Sequence, residues 1–175
     1  MKSACVWFAL VALLAGCGGG DESSAVPDGF ETFDGQTFTF AHPAGWAGVA
    51  EGTTKGVQGP KGTGGLAPQA AVSSGQSPAV DFESIIAGYK ADQLTRRANW
   101  EIVREEPVKV DGAKEARMTE ARYDEVTGST TTPVRTIDLH VRTDDGMLYD
   151  FLVRGPEADF DKDRLREAID TFQIK

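Results

Sequence analysis

The sequence predicts an α+β domain with a central antiparallel β-sheet flanked by helices. Three observations support this class. Segments in which polar and apolar residues alternate, as they do in half-buried strands, lie on both sides of an amphipathic helical segment. Short turns such as Asp111-Gly112 separate strands in the second half, and turns of this kind join antiparallel neighbours. The regular alternation of strand and helix that is typical of a parallel sheet is absent from the sequence.

The first half of the domain is predicted to hold two strands separated by a glycine-rich segment. Residues 36–40 alternate polar with apolar side chains, which predicts a strand, and Pro43 ends it. Eight of the 20 glycines fall within residues 45–65, so this segment is predicted to be a loop or an edge hairpin. Residues 66–74 are predicted to return as a strand.

Two helices are predicted, one on each side of a strand-rich region. Apolar residues from Phe82 to Leu94 recur at helical spacing behind Asp81, a residue type that favours the N-cap. Residues 161–172 place their apolar side chains on one stripe behind acidic residues, which predicts one closing helix.

The region between these helices is predicted to be a meander of antiparallel strands, because the hydrophobic period changes to two. In one strand Ile137 and Leu139 share a face, while Asp138 and His140 lie on the other. The predicted strand segments are 100–103, 108–110, 116–123, 134–143 and 147–153.

The N-terminal segment has the features of a bacterial export signal. Lys2 precedes the apolar run 4–14, which is too short to be a permanent membrane span. The sequence Leu14-Ala15-Gly16-Cys17 follows and resembles the lipobox of bacterial lipoproteins. That resemblance implies that Cys17 receives a diacylglyceryl group and becomes the mature N-terminus.

The chain therefore divides into three predicted parts. Residues 1–16 are a signal peptide, residues 17–32 are a lipidated cysteine with a small, polar tether, and residues 33–175 are the folded domain. The expected location is extracytoplasmic, with the protein anchored to the bacterial cell membrane through Cys17.

Composition excludes several classes of function. The 18 basic and 27 acidic residues give a formal charge of −9, which argues against nucleic acid as a partner. Of the two cysteines, Cys5 leaves with the signal and Cys17 is lipidated, so the domain is expected to have neither a disulfide nor a reactive thiol. No cofactor or metal is predicted, because the aspartates at 159–163 lack the glycine of a calcium loop.

Three short motifs resemble the PsbP-like domains, a group that includes LpqN-type envelope lipoproteins. They are the opening Phe38-x-Phe40-x-x-Pro43-x-Gly45-Trp46, the hairpin at 108–113, and the terminal amphipathic segment that runs into Phe172. The resemblance implies an antiparallel sheet with helices on both sides. It also implies binding of other proteins without catalysis, and it transfers no functional residue.

The candidate binding residues lie on the polar face of the meander. Asp138, His140 and Arg142 on one strand and Asp150 and Arg154 on the next are a possible patch for an anion or an acidic partner. The alternative is a solvated face with cross-strand charge pairs.

Two further interpretations bear on these candidates. Leu148 and Leu152 share the parity of Asp150 and Arg154, which favours partial cover of this face by a helix. Trp46 is a possible stacking residue for a ligand, although cover for the edge of the core is the simpler interpretation.

Three functions remain open at the level of sequence. The first is a non-catalytic module that binds a protein partner in the cell envelope, so that no enzyme activity is expected. The second is a carrier of a small apolar ligand or lipid, with residues 45–65 as a lid over an apolar pocket. The third is an envelope hydrolase in which His140 acts as a general base.

Overall fold

The computed structural model describes residues 25–175, and in that part of the chain the fold is mainly β with a few helices. Two sheets form. In chain order the elements are β1 (Phe30–Asp34), β2 (Phe38–Pro43), β3 (Ala47–Glu51), β4 (Thr54–Gln58), β5 (Gln69–Gln76), α1 (Phe82–Arg96), β6 (Ala98–Pro107), β7 (Ala113–Thr127), β8 (Thr130–Thr143), β9 (Met147–Pro156), α2 (Glu157–Phe160), α3 (Leu165–Asp170) and β10 (Gln173–Ile174).

The larger sheet has seven strands in the order β3-β4-β5-β9-β8-β7-β6, and every pairing in it is antiparallel. The smaller sheet has the order β1-β2-β10. Helix α1 covers part of one face of the large sheet, and α3 packs with the small sheet on the other. The predicted antiparallel sheet is confirmed, but the described fold is mainly β with a few helices and is not clearly the predicted α+β class.

The main core lies between the two sheets and is rich in aromatic rings. Phe151 of the large sheet lies 4.7 Å from Phe40 of β2 and 5.3 Å from Phe172, measured between ring centroids. On β8 the residues Ile137 and Leu139 point into this core and are at most 2% exposed. The strict alternation along the long central strands therefore gives the sheet one apolar face.

Helix α1 begins where the sequence predicts. The Asp81 carboxylate accepts a hydrogen bond of 2.8 Å from the Ser84 amide, which satisfies a donor at the open end of the helix. Phe82 and Ile86 are the two buried apolar residues of α1, so the helix lies on the sheet with a narrow contact.

The predicted closing helix over 161–172 is wrong as a continuous element. Arg164 adopts a left-handed backbone conformation with φ of 55°, which separates α2 from α3. Its guanidinium pairs with Glu167 and donates to the Asp28 carbonyl oxygen at 2.7 Å. Arg164 thus contacts both α3 and the residues just before β1. The periodicity of apolar side chains does not indicate a left-handed residue at this position.

Three other boundaries differ from the expectation or refine it. The glycine-rich segment forms the edge hairpin β3–β4, with Gly52 at a φ of 57° in its turn. Residues 108–110 follow β6 as a loop and do not extend a strand. Strand β1 begins at Phe30, inside the range predicted for the tether.

The predicted signal peptide and Cys17 lie outside the described residues.

Candidate functional site

A polar cleft separates α1 from the large sheet on the face opposite the aromatic core. Its volume is about 330 Å³. Tyr89 of α1 forms one wall, and Asp138 and Asp150 lie on the sheet. Because β8 and β9 pair with His140 opposite Asp150 and Thr136 opposite Arg154, these polar residues share this face of the sheet, together with Asp138. The chemically informative lining residues are Tyr89, Arg97, Tyr123, Thr136, Asp138 and Asp150.

Asp138 is a carboxylic acid buried beneath α1, with 5% of its surface exposed. Burial and the negative charge of Asp150 raise its pKa from the ordinary value of 3.8 to about 7. The hydroxyls of Tyr89 and Thr136 oppose this rise, and Thr136 donates to Asp138 Oδ2 at 3.0 Å. Asp138 is therefore poised between its neutral and ionised forms near neutral pH.

His140 lies beside Asp138 on β8 and is almost completely buried, with its side chain 3% exposed. The Tyr89 ring crosses it edge-on with centroids 4.4 Å apart. Burial lowers the pKa of His140 below its ordinary value of 6.5, although the charge of Asp150 opposes this. The imidazole is consequently neutral in the folded protein at physiological pH.

Asp150 stands where the cleft meets solvent, and its side chain is 42% exposed. Burial of the carboxyl group nevertheless raises its pKa. Its Oδ1 atom lies 3.3 Å from His140 Nδ1 without a hydrogen bond of acceptable geometry. Among the described residues, Asp150 Oδ1 and His140 Nε2 are both buried and lack hydrogen-bond partners.

Two arginines lie at the side of the cleft and share one acidic partner. Arg97 pairs with Glu125 at 3.2 Å, and its guanidinium lies 4.5 Å from the centroid of the Tyr123 ring. Arg154 donates to the Tyr123 hydroxyl at 3.2 Å and to the Gln69 side chain at 3.3 Å. Arg154 is also 3.7 Å from the same Glu125 carboxylate.

The predicted exposed patch on β8 and β9 does not form, because α1 covers Asp138 and His140. Arg142 lies away from the cleft, pairs with Glu115 and donates to the Val80 carbonyl oxygen at 2.8 Å. It thus ties the start of α1 to the sheet. Of the predicted binding residues, Asp138 lines the cleft and Arg154 lies beside it.

Trp46 does not line this cleft. It lies in the β2–β3 connection and packs against the main core. A side chain at Gly59 would meet its ring within 2.9 Å, and Pro68 lies on the same side. This packing agrees with cover for the edge of the core, the simpler of the two sequence interpretations.

Sequence reasoning missed the residues that α1 and β7 bring to the cleft. Tyr89 occurs in the apolar repeat of α1, so its pattern indicated packing and gave no sign of a polar site. Tyr123 joins it because Tyr123 pairs opposite Val134, on the same face as Asp138. Tyr123 could have been predicted from the sequence by pairing β7 with β8 across their hairpin, because residues directly opposite each other in a sheet share a face.

A second concavity lies on the core side of the sheet, between the 107–112 loop and α3. Its volume is about 380 Å³. The base consists of the core residues Met118 and Leu139, with Ile169 and Phe172 on the α3 side. Val108 contributes to the opposite wall. The base of this groove is apolar, while charged residues such as Arg166 and Asp170 also line it.

Comparison with known proteins shows the fold and does not show a family. No protein-family model matches the chain, and no curated protein matches it. The chain is similar to the crystal structure of the Saccharomyces cerevisiae Ran-binding protein Mog1p, with a TM-score of 0.55 at 12% identity over 83% of this chain and 95% of that one.

Two bacterial structures are similar to a comparable degree. LpqN, involved in cell envelope biogenesis of Mycobacterium tuberculosis, has a TM-score of 0.51 at 10% identity over 79% of this chain and 83% of that one. PA94 of Pseudomonas aeruginosa, a protein of unknown function, has a TM-score of 0.54 at 8% identity over 77% of this chain and 88% of that one. At such identities the likeness concerns the fold alone.

No helix within residues 25–175 is both long and apolar enough to cross a membrane.

Proposed function

We propose that this protein is a lipid-anchored, non-catalytic binding module of the bacterial cell envelope with a PsbP-like domain, and that it engages a protein partner at the cleft under α1. The observation that carries this proposal is the cleft itself. It combines a tyrosine wall, hydrogen-bonding groups and two carboxylates in one concave surface. Binding sites typically combine such a concavity with a few polar groups that fix orientation.

The dimensions and lining of the cleft favour a side chain of a partner over a free lipid. A volume of about 330 Å³ accommodates one or two side chains, and its lining is mixed in polarity. Buried anchor residues inserted into such pockets contribute much of the energy of protein–protein interfaces. The fold likeness to a Ran-binding protein and to a protein of envelope biogenesis is compatible with this use.

The arrangement of His140 supports a non-catalytic role. A general base must reach the proton that it removes, but the His140 side chain is only 3% exposed and is covered by the Tyr89 ring. Of the hydroxyls that line the cleft, that of Ser73 is engaged with Thr54 at 2.6 Å, that of Thr136 donates to Asp138, and that of Tyr123 accepts from Arg154. A hydrolase mechanism therefore lacks an accessible nucleophile and base pair in the cleft.

The anchor is tested at Cys17. The Cys17→Ala precursor is expected to remain without lipid and without cleavage by the lipoprotein peptidase, while the domain still folds. Mass spectrometry of the membrane fraction measures the N-terminal mass. Normal processing of Cys17→Ala would overturn the lipoprotein assignment.

The partner is tested by photocrosslinking in cells. A photoreactive amino acid is placed at Asp92, an exposed residue that lines the cleft, and in a matched variant at Lys162 between α2 and α3 on the opposite face. A specific protein recovered from the Asp92 position, and not from Lys162 or from the Cys17→Ala background, supports the proposal. Equal recovery from both positions, or none above background, contradicts it.

The groove beside α3 favours a second candidate, a carrier of a small apolar ligand. Its base of Met118, Leu139 and Phe172 could contact an apolar chain, and its volume of about 380 Å³ lies in the range of ligand sites. Organic extraction of the purified full-length protein followed by mass spectrometry tests this function. A stoichiometric lipid that is lost from Met118→Glu, a variant that places a charge at the base of the groove, would favour the carrier over the protein-binding module.

A further inference from the structure

We infer that the cleft under α1 is a subsite for an organic cation: the guanidinium or ammonium group of an Arg or Lys side chain, held by the Asp138 and Asp150 carboxylates against the Tyr89 ring. The inference rests on the proposed function in assigning that side chain to the protein partner. It replaces the anionic or acidic ligand expected from the sequence, because the arginines of that expectation are engaged elsewhere.

The charges around the cleft leave the two sheet carboxylates without a basic partner. Arg97 and Arg154 both lie against Glu125. Asp92, the acidic residue on the α1 side, pairs with Arg96 at 2.6 Å. Within the described residues, neither Asp138 nor Asp150 forms an ion pair with an arginine or lysine: Arg97 faces Asp138 but is paired with Glu125. Asp138 is hydrogen-bonded by hydroxyl groups, and Asp150 lies beside the neutral His140. A cation that enters the cleft supplies the missing countercharge.

Unpartnered buried atoms give a second, independent reason. Asp150 Oδ1 is buried and accepts no hydrogen bond within the described part of the chain. His140, whose side chain is 3% exposed and contacts both Asp150 and Tyr89, has an unpartnered Nε2. Buried polar atoms are ordinarily satisfied, so an unpartnered oxygen on Asp150, a residue that lines the cleft, calls for an explanation. A guanidinium or ammonium group in the cleft can reach the Asp150 carboxylate, because the Asp150 side chain is 42% exposed there, and it would supply the donor that this carboxylate lacks.

The aromatic wall favours an organic cation. Arg97 already places its guanidinium 4.5 Å from the Tyr123 ring centroid, beside the same cavity. The Tyr89 ring forms the facing wall on α1. A cation near an aromatic ring is attracted by the negative face of the ring, and the attraction increases when water is excluded. The Arg97–Tyr123 pair is therefore an example, beside the same cleft, of the cation–aromatic contact that we propose between the ligand and Tyr89.

A metal ion fits the site less well. Within residues 25–175, no three His, Cys, Asp or Glu side chains are grouped so that they could hold a metal. Two carboxylates in a cavity of about 330 Å³ match a bulkier ligand that brings its own hydrogen-bond donors. The net charge of −9 would also attract a basic partner before contact.

Binding of a cation at this site is coupled to proton release. The charged or titratable groups that face Asp138 are Tyr89 and Arg97 from the α1 side, Asp150 from β9 and His140 on β8. Asp138 has a pKa of about 7, so a fraction of the molecules is protonated there at neutral pH. A bound cation stabilises the carboxylate, and the Asp138 proton leaves to solvent.

The test uses the full-length protein in detergent and two peptides that differ in charge. Gly-Arg-Gly is the cationic probe, and Gly-citrulline-Gly is a neutral analogue of nearly the same shape. NMR titration is expected to show saturable shifts at Tyr89 and Thr136, with a dissociation constant on the order of 1 mM for the arginine peptide. The citrulline peptide is expected to bind at least tenfold more weakly.

The variants localise the effect and control for folding. Asp138→Asn and Asp150→Asn are each expected to weaken binding of the arginine peptide at least tenfold. Asp170→Asn, on the exposed surface of α3 across the sheet, is expected to leave it unchanged. Amide spectra of each variant verify the fold. Binding should also strengthen as pH rises from 6 to 8, and Asp138→Asn should lose that dependence.

The outcomes separate this inference from the proposed function. Equal affinity for the two peptides, or full affinity in Asp138→Asn, overturns the cation subsite even if a protein crosslinks at Asp92. Selective binding of the arginine peptide without any crosslinked protein supports the cation subsite and counts against the protein-binding function.

Discussion

The two faces of the seven-stranded sheet differ in what they bury. One face packs aromatic and aliphatic side chains against the small sheet and α3, and residues such as Phe151 and Val153 are completely buried there. The other face buries Asp138 and His140 under α1 and leaves a polar cleft. Apolar burial stabilises the fold, whereas burial of ionisable groups opposes it.

The two faces of the sheet therefore have different roles. The aromatic face holds the two sheets together, so the opposite face can carry groups that reduce stability. Costly polar groups of this kind are often retained at functional sites. Truncation of a side chain on the aromatic face should therefore destabilise the domain, while neutralisation of the buried charge on the α1 face should stabilise it.

The largest effect is expected for Phe151→Ala. Phe151 is fully buried and contacts the rings of Phe40 and Phe172, so its truncation leaves a cavity between the two sheets. The free energy of unfolding should fall by about 3–5 kcal/mol. Urea denaturation followed by tryptophan fluorescence measures the change. Leu152→Ala is the matched control, since Leu152 is the next residue, is only half-buried and faces the cleft. Equal losses in the two variants would contradict the assignment of stability to one face.

An effect of opposite sign is expected for Asp138→Asn. Folding raises the pKa of Asp138 from 3.8 to about 7, so the folded state binds the proton more tightly than the unfolded state does. This group's contribution to stability is therefore greatest below pH 4 and is lost as the pH rises to about 7. At pH 8 the variant should be more stable than the wild type, with an upper bound of roughly 4 kcal/mol at about 1.4 kcal/mol per pKa unit.

Denaturation at pH 5 and pH 8 measures this difference. The gain from Asp138→Asn should be smaller at pH 5 than at pH 8. The lowered pKa of His140 acts in the opposite sense, because its contribution is lost as the pH falls below 6.5, and it is common to both proteins. If the variant is equally destabilised at both pH values, Asp138 stabilises the fold through its hydrogen bonds, and its ionised form does not destabilise the folded state.

The smallest effect is expected for Asp81→Ala. The Asp81 side chain caps α1 through the amide and the hydroxyl of Ser84, at 2.8 and 2.9 Å. Loss of the cap should cost about 1 kcal/mol. Because α1 has a narrow apolar contact with the sheet, amide hydrogen exchange should increase in α1 more than in β8. A uniform increase across both elements would indicate that α1 and the sheet open as one unit.

Much of the fold could be predicted from local patterns. The two-residue period of β8 and the turn at Asp111-Gly112 predicted antiparallel pairing, and the Asp81 cap with the repeat behind it predicted α1. The break at Arg164 could not be predicted. Its left-handed backbone depends on contacts with Glu167 and the distant Asp28, which no local pattern contains.

The candidate site could be predicted only in part. Alternation showed that Asp138, His140 and Arg154 share a face of the sheet, and this is confirmed. The leucines of β9 also indicated that a helix covers part of this face, and α1 does so. They could not show that Asp138 and His140 lie under it, nor that Arg154 is held beside Tyr123.

Nor could the sequence pattern show that Arg142 pairs with Glu115 and Arg154 with Glu125. These pairings are why the ligand that we propose is a cation, opposite in charge to the anion expected from the sequence.

Local patterns and composition were sufficient to predict which residues face each side of the sheet, where most strands and α1 lie, and that the chain is strongly acidic. These properties follow from side-chain period, turn chemistry and composition, which act over a few residues. Burial of Asp138 by α1 beside a tyrosine wall, with the rise in its pKa, became evident only in the folded chain. Burial and charge pairing depend on which segments meet in space, and the segments that form this cleft are distant along the chain.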